Sequence, residues 1–265
     1  RKHGVEVRQV DINHSDWDCT IESDGVLGDG DGVALRLGLR MVRGLSESVA
    51  RRVVCERARG EFESVCDVSG RVGLGEGEMS RLARADVFGS LETSRRGALW
   101  DALADRSDQP LWGAEIGEAV VELPEMGEAD EVVADYRSQG LSLRGHPFQS
   151  VRPRVSRLGA VTAGELRELR HGTSLAMAGL VLLRQRPSSA RGVTFVTLED
   201  ETGMANLIIK PAVWERYHRV ASSARAMLAF GTLQNQQGVV HLLVSRLVDL
   251  SEALGEVKLP SRDFR

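Results

Sequence analysis

Features that mark disulfide-rich, metal-binding and membrane-spanning proteins are scarce in this sequence. Aromatic residues make up 5% of its 265 positions, and its three cysteines, Cys19, Cys55 and Cys66, are too widely spaced for a Cys-x-x-Cys metal site. No stretch approaches the roughly 18 uninterrupted apolar residues of a membrane span, and the opening residues are too polar for a secretory signal. We therefore expect a soluble, cytoplasmic protein with reduced thiols and no structural metal.

Motifs of stand-alone catalysis are missing as well. The sequence has neither the Gly-x-x-x-x-Gly-Lys loop that cradles nucleotide phosphates nor the Gly-x-Ser-x-Gly nucleophile elbow. Its nearest group of carboxylates, Asp11, Asp16 and Asp18, does not form the strand-borne acidic pair that holds two magnesium ions. We assign no catalytic residue to this chain. Because it does not begin with Met, we interpret it as part of a longer polypeptide.

Charge is distributed unevenly along the chain. The formal net charge is -4, yet residues 33–60 hold seven Arg against two Glu, residues 101–150 hold three Arg against eleven acids, and residues 151–250 hold thirteen Arg and Lys against seven acids. The net charge therefore hides two basic blocks that flank one acidic block. The length and the 42% apolar content predict two or three domains.

Apolar residues at helical spacing predict an α-helical N-terminal half. Residues 25–32 are rich in Gly and Asp, and we interpret them as an exposed loop. A short helix near Leu39–Val42, a tight turn and a second helix carrying Val49 and Val53 follow, with Ser46 or Ser48 as its N-cap. Further helices are predicted at Ser64–Val72, Glu78–Ala85, Ser94–Ala104 and Glu128–Ser138.

The turn Val42-Arg43-Gly44-Leu45-Ser46 resembles the hairpin of a helix-hairpin-helix motif, with Ser46 where a second Gly is usual. Such a hairpin points the free N–H groups of a helix start at a DNA phosphate, and Gly44 permits the close approach. An ordinary helical hairpin with solvated arginines is the alternative. A second hairpin has Asp86 in place of Gly, and we expect it to pack rather than to bind phosphate. The candidate duplex-phosphate residues are Arg43, Gly44, Ser46, Ser48, Arg51 and Arg52.

From Ser174 onward the apolar residues alternate with a period of two. Five β-rich runs with a helix after the third predict an OB-fold barrel. Gly179 and Gly231 lie inside the first and fourth runs, where a small barrel needs bulges to bend its strands. The predicted strands are Leu175–Arg186, Val193–Glu199, Met204–Lys210, Ala226–Gln234 and Val239–Leu247, with a helix at Pro211–Val220.

The groove of this barrel is the candidate single-strand site. The segment from Phe195 to Gly203 resembles the turn between strands two and three of OB-folds related to tRNA anticodon-binding domains, in which the aromatic stacks on a base. Placement of Phe195 in the barrel core is the alternative. Asn206 faces the same groove in this interpretation. The remaining candidates lie in or beside the two loops that flank the groove, and they are Arg184, Arg186, Arg191, Gln234 and Gln236.

Four segments, taken in order, resemble the alpha subunit of bacterial DNA polymerase III nearly from end to end; they are Val10–Trp17, Leu35–Leu39 with its hairpin, Asp135–Pro147 and Gly192–Gly203. Asn13–Asp18, Val181–Pro187 and Ser261–Phe264 resemble the error-prone, translesion branch of this C family. The resemblance implies that the parent enzyme is a DNA-directed DNA polymerase of damage-induced mutagenesis and translesion synthesis. Its palm, with Mg²⁺, would lie upstream, so that this segment alone is inactive and holds no cofactor.

The same resemblance implies an α+β multidomain chain: residues 1–32 end the fingers, 33–106 form a tandem helix-hairpin-helix domain on the primer-template duplex, 107–150 form an acidic connector, 151–250 form the OB domain near the single-stranded template, and 251–265 form a tail. Replicative relatives carry a sliding-clamp motif between the two DNA-binding domains. Here the segment Asp108–Trp112 occupies that place and contributes Gln109, Leu111 and Trp112. It lacks the Gln of the motif's first position and the Phe of its last position. We expect indirect contact with the clamp through mutasome accessory proteins.

One alternative from a different class is open at this point. The OB barrel and the helical unit could dock protein partners rather than DNA, since OB-folds serve both purposes. A tRNA-synthetase anticodon domain is disfavoured, because the helical hairpins before the barrel have no place in it.

Overall fold

The computed structural model describes residues 5–23, 33–103, 123–236, 239–254 and 262–264. The chain divides into two compact units, residues 1–144 and 145–265. Within the described ranges, none of the helices combines the length and the apolar character needed to cross a membrane. The loop predicted at residues 25–32 and the clamp-like residues Gln109, Leu111 and Trp112 lie outside the described residues.

The first unit is mainly helical, as predicted. Ser46 and Ser64 are the N-caps of the first two α-helices, because their hydroxyl oxygens accept hydrogen bonds from the N–H groups of Val49 (3.4 Å) and Asp67 (3.0 Å). The predicted helix at Leu39–Val42 is instead a single 3₁₀ turn, in which the Met41 N–H bonds to the Gly38 carbonyl only three residues back. The elements are β1 (Glu6–Arg8), β2 (Thr20–Ser23), β3 (Val33–Arg36), α1 (Glu47–Arg57), α2 (Val65–Val72), α3 (Glu76–Arg84), α4 (Arg95–Leu103) and α5 (Glu128–Ser138).

Polar side chains near the start of the chain hold the helical elements together. The Asn13 amide donates to the Phe62 carbonyl (3.0 Å) and accepts from the Phe62 N–H (2.9 Å). The second carboxylate oxygen of Asp11 accepts from the Ser90 N–H at 2.9 Å. Ser15 donates to the Leu37 carbonyl at 2.6 Å. The Asp-Ile-Asn-His-Ser segment therefore has a structural role, since its buried polar groups are paired with backbone groups.

An ion-pair network joins α4, α5 and the second hairpin of the first unit. Arg95 is 5% exposed and pairs directly with Asp135, which is 2% exposed. Arg95 also lies 3.2 Å from Glu131 and 3.6 Å from Asp86. Asp86 in turn pairs directly with Arg144. Asp86 thus has the packing role predicted for it, and α5, from the predicted connector, packs within the first unit.

The second unit is a closed five-stranded barrel of the OB type. Strand β5 pairs antiparallel with β6 and β8, β6 pairs with β7, β7 runs parallel to β9, and β9 closes antiparallel onto β8. The predicted helix at Pro211–Val220 is two short helices that meet at Tyr217. The elements are α6 (Arg152–Ser156), β4 (Ala160–Val161), β5 (Ser174–Gln185), β6 (Thr194–Asp200), β7 (Gly203–Ile209), α7 (Pro211–Arg216), α8 (His218–Ser223), β8 (Ala226–Gln236), β9 (Val239–Asp249) and β10 (Arg262–Phe264).

Bulges bend the barrel strands near the two glycines picked out in the sequence. The bulge of β8 falls between Phe230 and Gly231, and that of β5 falls between Val181 and Leu183, two residues beyond Gly179. A Cβ atom on Gly231 would lie 2.2 Å from the Leu243 carbonyl oxygen. Only glycine permits this approach of two strands, which closes β8 onto β9.

Candidate nucleic-acid interface

The first predicted hairpin turns through a left-handed glycine directly before a helix start. Gly44 adopts a left-handed conformation (φ 77°) between the 3₁₀ turn and α1. Glu47 and Ser48 begin α1, so their N–H groups have no carbonyl four residues earlier within the helix. The Ser46 hydroxyl accepts from Val49 and lies 3.0 Å from the Ser48 hydroxyl. The turn therefore presents N–H and hydroxyl groups on one exposed helix start.

The three arginines predicted to accompany this turn are all exposed and all have partners inside the protein. Arg51 pairs with Glu47, one helical turn away, at 2.6 Å. This ion pair offsets the negative charge that the Glu47 carboxylate places at the helix start. Arg52 donates to the Val72 carbonyl at 3.3 Å and lies 3.7 Å from the Glu78 carboxylate. Arg43 donates to the Arg137 carbonyl at 3.2 Å. Of these three arginines, Arg43 alone has no carboxylate partner among the described residues.

Two arginines that the sequence analysis missed lie on α3, and the first of them contacts the same turn. Arg81 contacts Gly44 closely, because a Cβ atom on Gly44 would lie 3.3 Å from the Arg81 Nε atom. Arg84 follows three residues later on the exposed face of α3. The sequence shows that Arg81 and Arg84 are three residues apart and lie opposite the buried Leu82 and Ala83. It does not show that α3 packs against the Gly44 turn, because that packing depends on tertiary contacts.

The outward face of the barrel carries an apolar row beside a polar row. Phe195 is 36% exposed, whereas its neighbours on β6 are buried, so it lies outside the barrel core. It stands opposite Ile208 on β7, which is aligned with Leu243 on β9. The adjacent register row is polar and consists of Thr197, Asn206, His241 and Gln234.

Within the polar row, His241 is a residue that the sequence analysis missed. Its register partner on β7 is Asn206, and its partner on β8 is Gln234. The Nδ1 atom of His241 is buried and has no hydrogen-bond partner among the described residues. Asn206 is exposed and lies 3.1 Å from the Thr197 hydroxyl. The row therefore offers hydrogen-bonding groups next to an exposed aromatic ring.

The loop candidates at the edges of this face differ in their surroundings. Arg186 is exposed and stacks on the Trp214 ring, 5.1 Å from its centroid. Arg191 is exposed and left-handed, with φ 49°. Gln234 and Gln236 belong to β8, and the Gln236 side chain lies outside the described residues.

The placement of Arg184 corrects its predicted role. Its side chain is 6% exposed, its Nε atom donates to the Ala221 carbonyl at 2.9 Å, and its guanidinium also donates to the Ala224 carbonyl. These carbonyls lie at the C-terminal end of α8, where helix carbonyls have no partner within the helix. Arg184 therefore fastens α8 to the barrel and is not a solvent-facing loop arginine.

The segment thus consists of a helix-hairpin-helix unit followed by an OB barrel. A family model for the helix-hairpin-helix motif matches residues 4–98. An error-prone DNA polymerase from Methylococcus capsulatus is 42% identical over 100% of the chain, which covers 27% of that protein. Error-prone DNA polymerase 1 from Agrobacterium fabrum is 45% identical over 97% of the chain, which covers 25% of its length. The chain is thus homologous, over its whole length, to the C-terminal part of error-prone DNA polymerases, and spans about a quarter of these relatives.

Among solved structures, asparaginyl-tRNA synthetase from Pyrococcus horikoshii overlaps 34% of this chain and 24% of its own, with 20% identity and a TM-score of 0.29. This similarity is too low to add to the assignment.

Proposed function

We propose that this segment holds the DNA of an error-prone, DNA-directed DNA polymerase that acts in damage-induced mutagenesis and translesion synthesis. The first unit binds the backbone of the primer-template duplex, and the barrel binds the single-stranded template. The catalytic palm and its Mg²⁺ belong to another part of the parent enzyme. Mutasome accessory proteins connect the enzyme to the sliding clamp.

The observation that carries the proposal is the left-handed Gly44 turn at the start of α1. A helix start carries a partial positive charge and unpaired N–H groups, which suit a phosphate oxygen. Arg81 stands against the turn and Arg43 directly precedes it in the chain, so a positive side chain contacts the turn and a second one begins beside it. Homology to error-prone polymerases makes a DNA phosphate the fitting ligand.

The barrel contribution is supported by the exposed ring of Phe195 and by the polar row beside it. A base stacked on an aromatic side chain contributes about 1 to 3 kcal/mol and tolerates any sequence. Asn206 and His241 lie one register row away, where side-chain amide and imidazole groups can hydrogen-bond to base edges. A face of this composition suits unstacked bases better than a duplex backbone.

The proposed binding of the duplex by the first unit is tested by replacing Gly44 and measuring primer-template binding by fluorescence anisotropy across a salt series. Gly44→Ala introduces a Cβ into a left-handed position, which costs roughly 1 to 2 kcal/mol or displaces the turn. We expect affinity to fall about tenfold, a loss of about 1.4 kcal/mol. The wild-type log-log salt dependence should have a slope of about -2 or steeper.

A matched control is Gly70→Ala, because Gly70 lies within α2 and a Cβ there meets no atom within 4 Å. Duplex affinity should not change in this variant. Equal duplex affinity of wild-type and Gly44→Ala proteins, or binding that is independent of salt, would contradict phosphate recognition at the turn.

The proposed binding of single-stranded DNA by the barrel is tested by measuring the affinity of the Phe195→Ala variant for a labelled oligonucleotide. Loss of one stacking platform should weaken binding about 5- to 150-fold, the equivalent of roughly 1 to 3 kcal/mol. Leu158→Ala is the control, because Leu158 is an exposed apolar residue (55%) of the same unit outside the barrel strands. If Phe195→Ala binds the oligonucleotide as wild type does while remaining folded, base stacking on Phe195 is refuted and the alternative, a barrel face that docks a protein, is favoured.

A further inference from the structure

A cavity of about 510 Å³ opens in the first unit between α3, α4 and α5. The residues that line it include the apolar Leu99, Met126 and Ala134. Six arginines line it as well, namely Arg43, Arg81, Arg84, Arg95, Arg96 and Arg137.

Four of these six arginines have no carboxylate partner within the described part of the chain. Arg95, by contrast, is buried and paired with Asp135 and Glu131. Among the described residues, no carboxylate oxygen lies within 4.0 Å of the exposed guanidinium groups of Arg43, Arg81, Arg84 and Arg96. Two of these four donate only to backbone carbonyls: Arg43 to that of Arg137 at 3.2 Å and Arg96 to that of Pro124 at 2.7 Å.

Several like charges around one cavity repel each other, and an anion placed between them removes the repulsion. A guanidinium group presents N–H donors in a planar fork that matches two oxygens of a phosphate. Arg81 and Arg84 have no hydrogen-bond or ion-pair partner within the described part of the chain, so their donors are available to such a ligand.

The cavity is also continuous with the Gly44 turn, because Arg81 both lines the cavity and lies against Gly44. We propose that the cavity is a phosphate-binding site, in which Arg81 and Arg84 supply the principal donors and Arg43 joins the site to the turn. The phosphate belongs either to the DNA strand held at the turn or to a small free polyphosphate. In the first case the inference rests on the proposed function; in the second it does not.

The test compares the full chain with the double variant Arg81→Gln/Arg84→Gln, using two probes: inorganic pyrophosphate by titration calorimetry and labelled primer-template duplex by anisotropy. Both side chains are exposed, so the fold should be retained, which circular dichroism checks. Arg59→Gln is the control for loss of an exposed arginine outside the cavity. The charge-conserving variant Arg81→Lys/Arg84→Lys tests the fork geometry.

If the DNA strand is the source, the glutamine variant should bind duplex about tenfold more weakly, and its log-log salt slope should be shallower by about 1.8, which corresponds to two phosphates. The lysine variant should keep the slope but lose part of the affinity. If a free polyphosphate is the source, pyrophosphate binds the wild type, the glutamine variant loses that binding, and duplex affinity is unchanged.

Unchanged affinity of the glutamine variant for both probes would overturn the site. If Gly44→Ala still weakened duplex binding in that case, the proposed function would stand without this inference. Conversely, loss of pyrophosphate binding in the glutamine variant with no effect of Gly44→Ala would support the cavity and refute the turn.

Discussion

Replacement of the buried Arg184 distinguishes a structural role of this arginine from a role in DNA binding. Replacement by Gln shortens the side chain and removes the donors to the Ala221 and Ala224 carbonyls. Each buried acceptor left without a partner costs about 1 to 3 kcal/mol, so we expect the barrel to lose about 3 kcal/mol of unfolding free energy. At about 1.4 kcal/mol per factor of ten, this loss lowers the protection of barrel amides from hydrogen exchange about 100-fold.

Hydrogen exchange with mass spectrometry reads this loss in the barrel itself, through peptides from β5 and β8, while peptides from α1 and α2 report the first unit. Arg167→Gln, which removes an exposed arginine of the same unit, should leave protection unchanged. Single-strand affinity of the Arg184→Gln protein, measured under conditions where it is folded, should stay within about twofold of wild type. Normal protection combined with weakened DNA binding would refute the structural role and restore Arg184 to the groove.

Three further changes test contacts within one unit or the other. The Arg36 guanidinium, which hydrogen-bonds Glu22, holds the pKa of that carboxyl below its ordinary value; the stabilisation is therefore present at neutral pH and is lost as the pH falls through the lowered value. Glu22→Gln should cost roughly 1 kcal/mol in neutral urea unfolding and nothing in acid, and an equal cost at both would argue against the ion pair. Gly231→Ala should destabilise the barrel by about 3 kcal/mol, because its Cβ would meet the opposite backbone; amides of β8 and β9 that exchange as slowly as in wild type would disprove the close approach. Asp135→Asn should cost about 3 kcal/mol, since the buried Arg95 would lose its nearest carboxylate and keep only Glu131 and Asp86, and a melting temperature equal to that of wild type would contradict this.

Much of the secondary structure follows from the sequence alone, because each element shows its own period. On β6, Val196 and Leu198 point inward and Phe195 outward, which is the alternation that predicted the strand. Helix α5 ends at Ser138, as the apolar spacing indicates. The Ser46 and Ser64 caps set the starts of α1 and α2 by local hydrogen bonds, which sequence patterns report well.

Tertiary contacts explain what the sequence could not show. Arg184 lies one residue from the end of β5 and within the predicted strand Leu175–Arg186, but the pattern did not show that its side chain is buried. Its inward orientation depends on α8, whose carbonyls it meets 37 positions later in the chain. Arg81 is likewise distant from Gly44 in the sequence, and only the packing of α3 brings its Nε atom to the turn.

The partners of an arginine, rather than its presence, therefore indicate its role in this protein. Arg71 donates to three backbone carbonyls and stacks on the Phe62 ring, and Arg95 sits among carboxylates; both are held by the fold, and a phosphate would have to displace those partners. Arg81 and Arg84 have no such partners in the described structure, so a phosphate gains their donors without breaking an existing bond. A net charge of -4 is consistent with binding to DNA, because the relevant quantity is the charge left unpaired at one surface and not the sum over the chain.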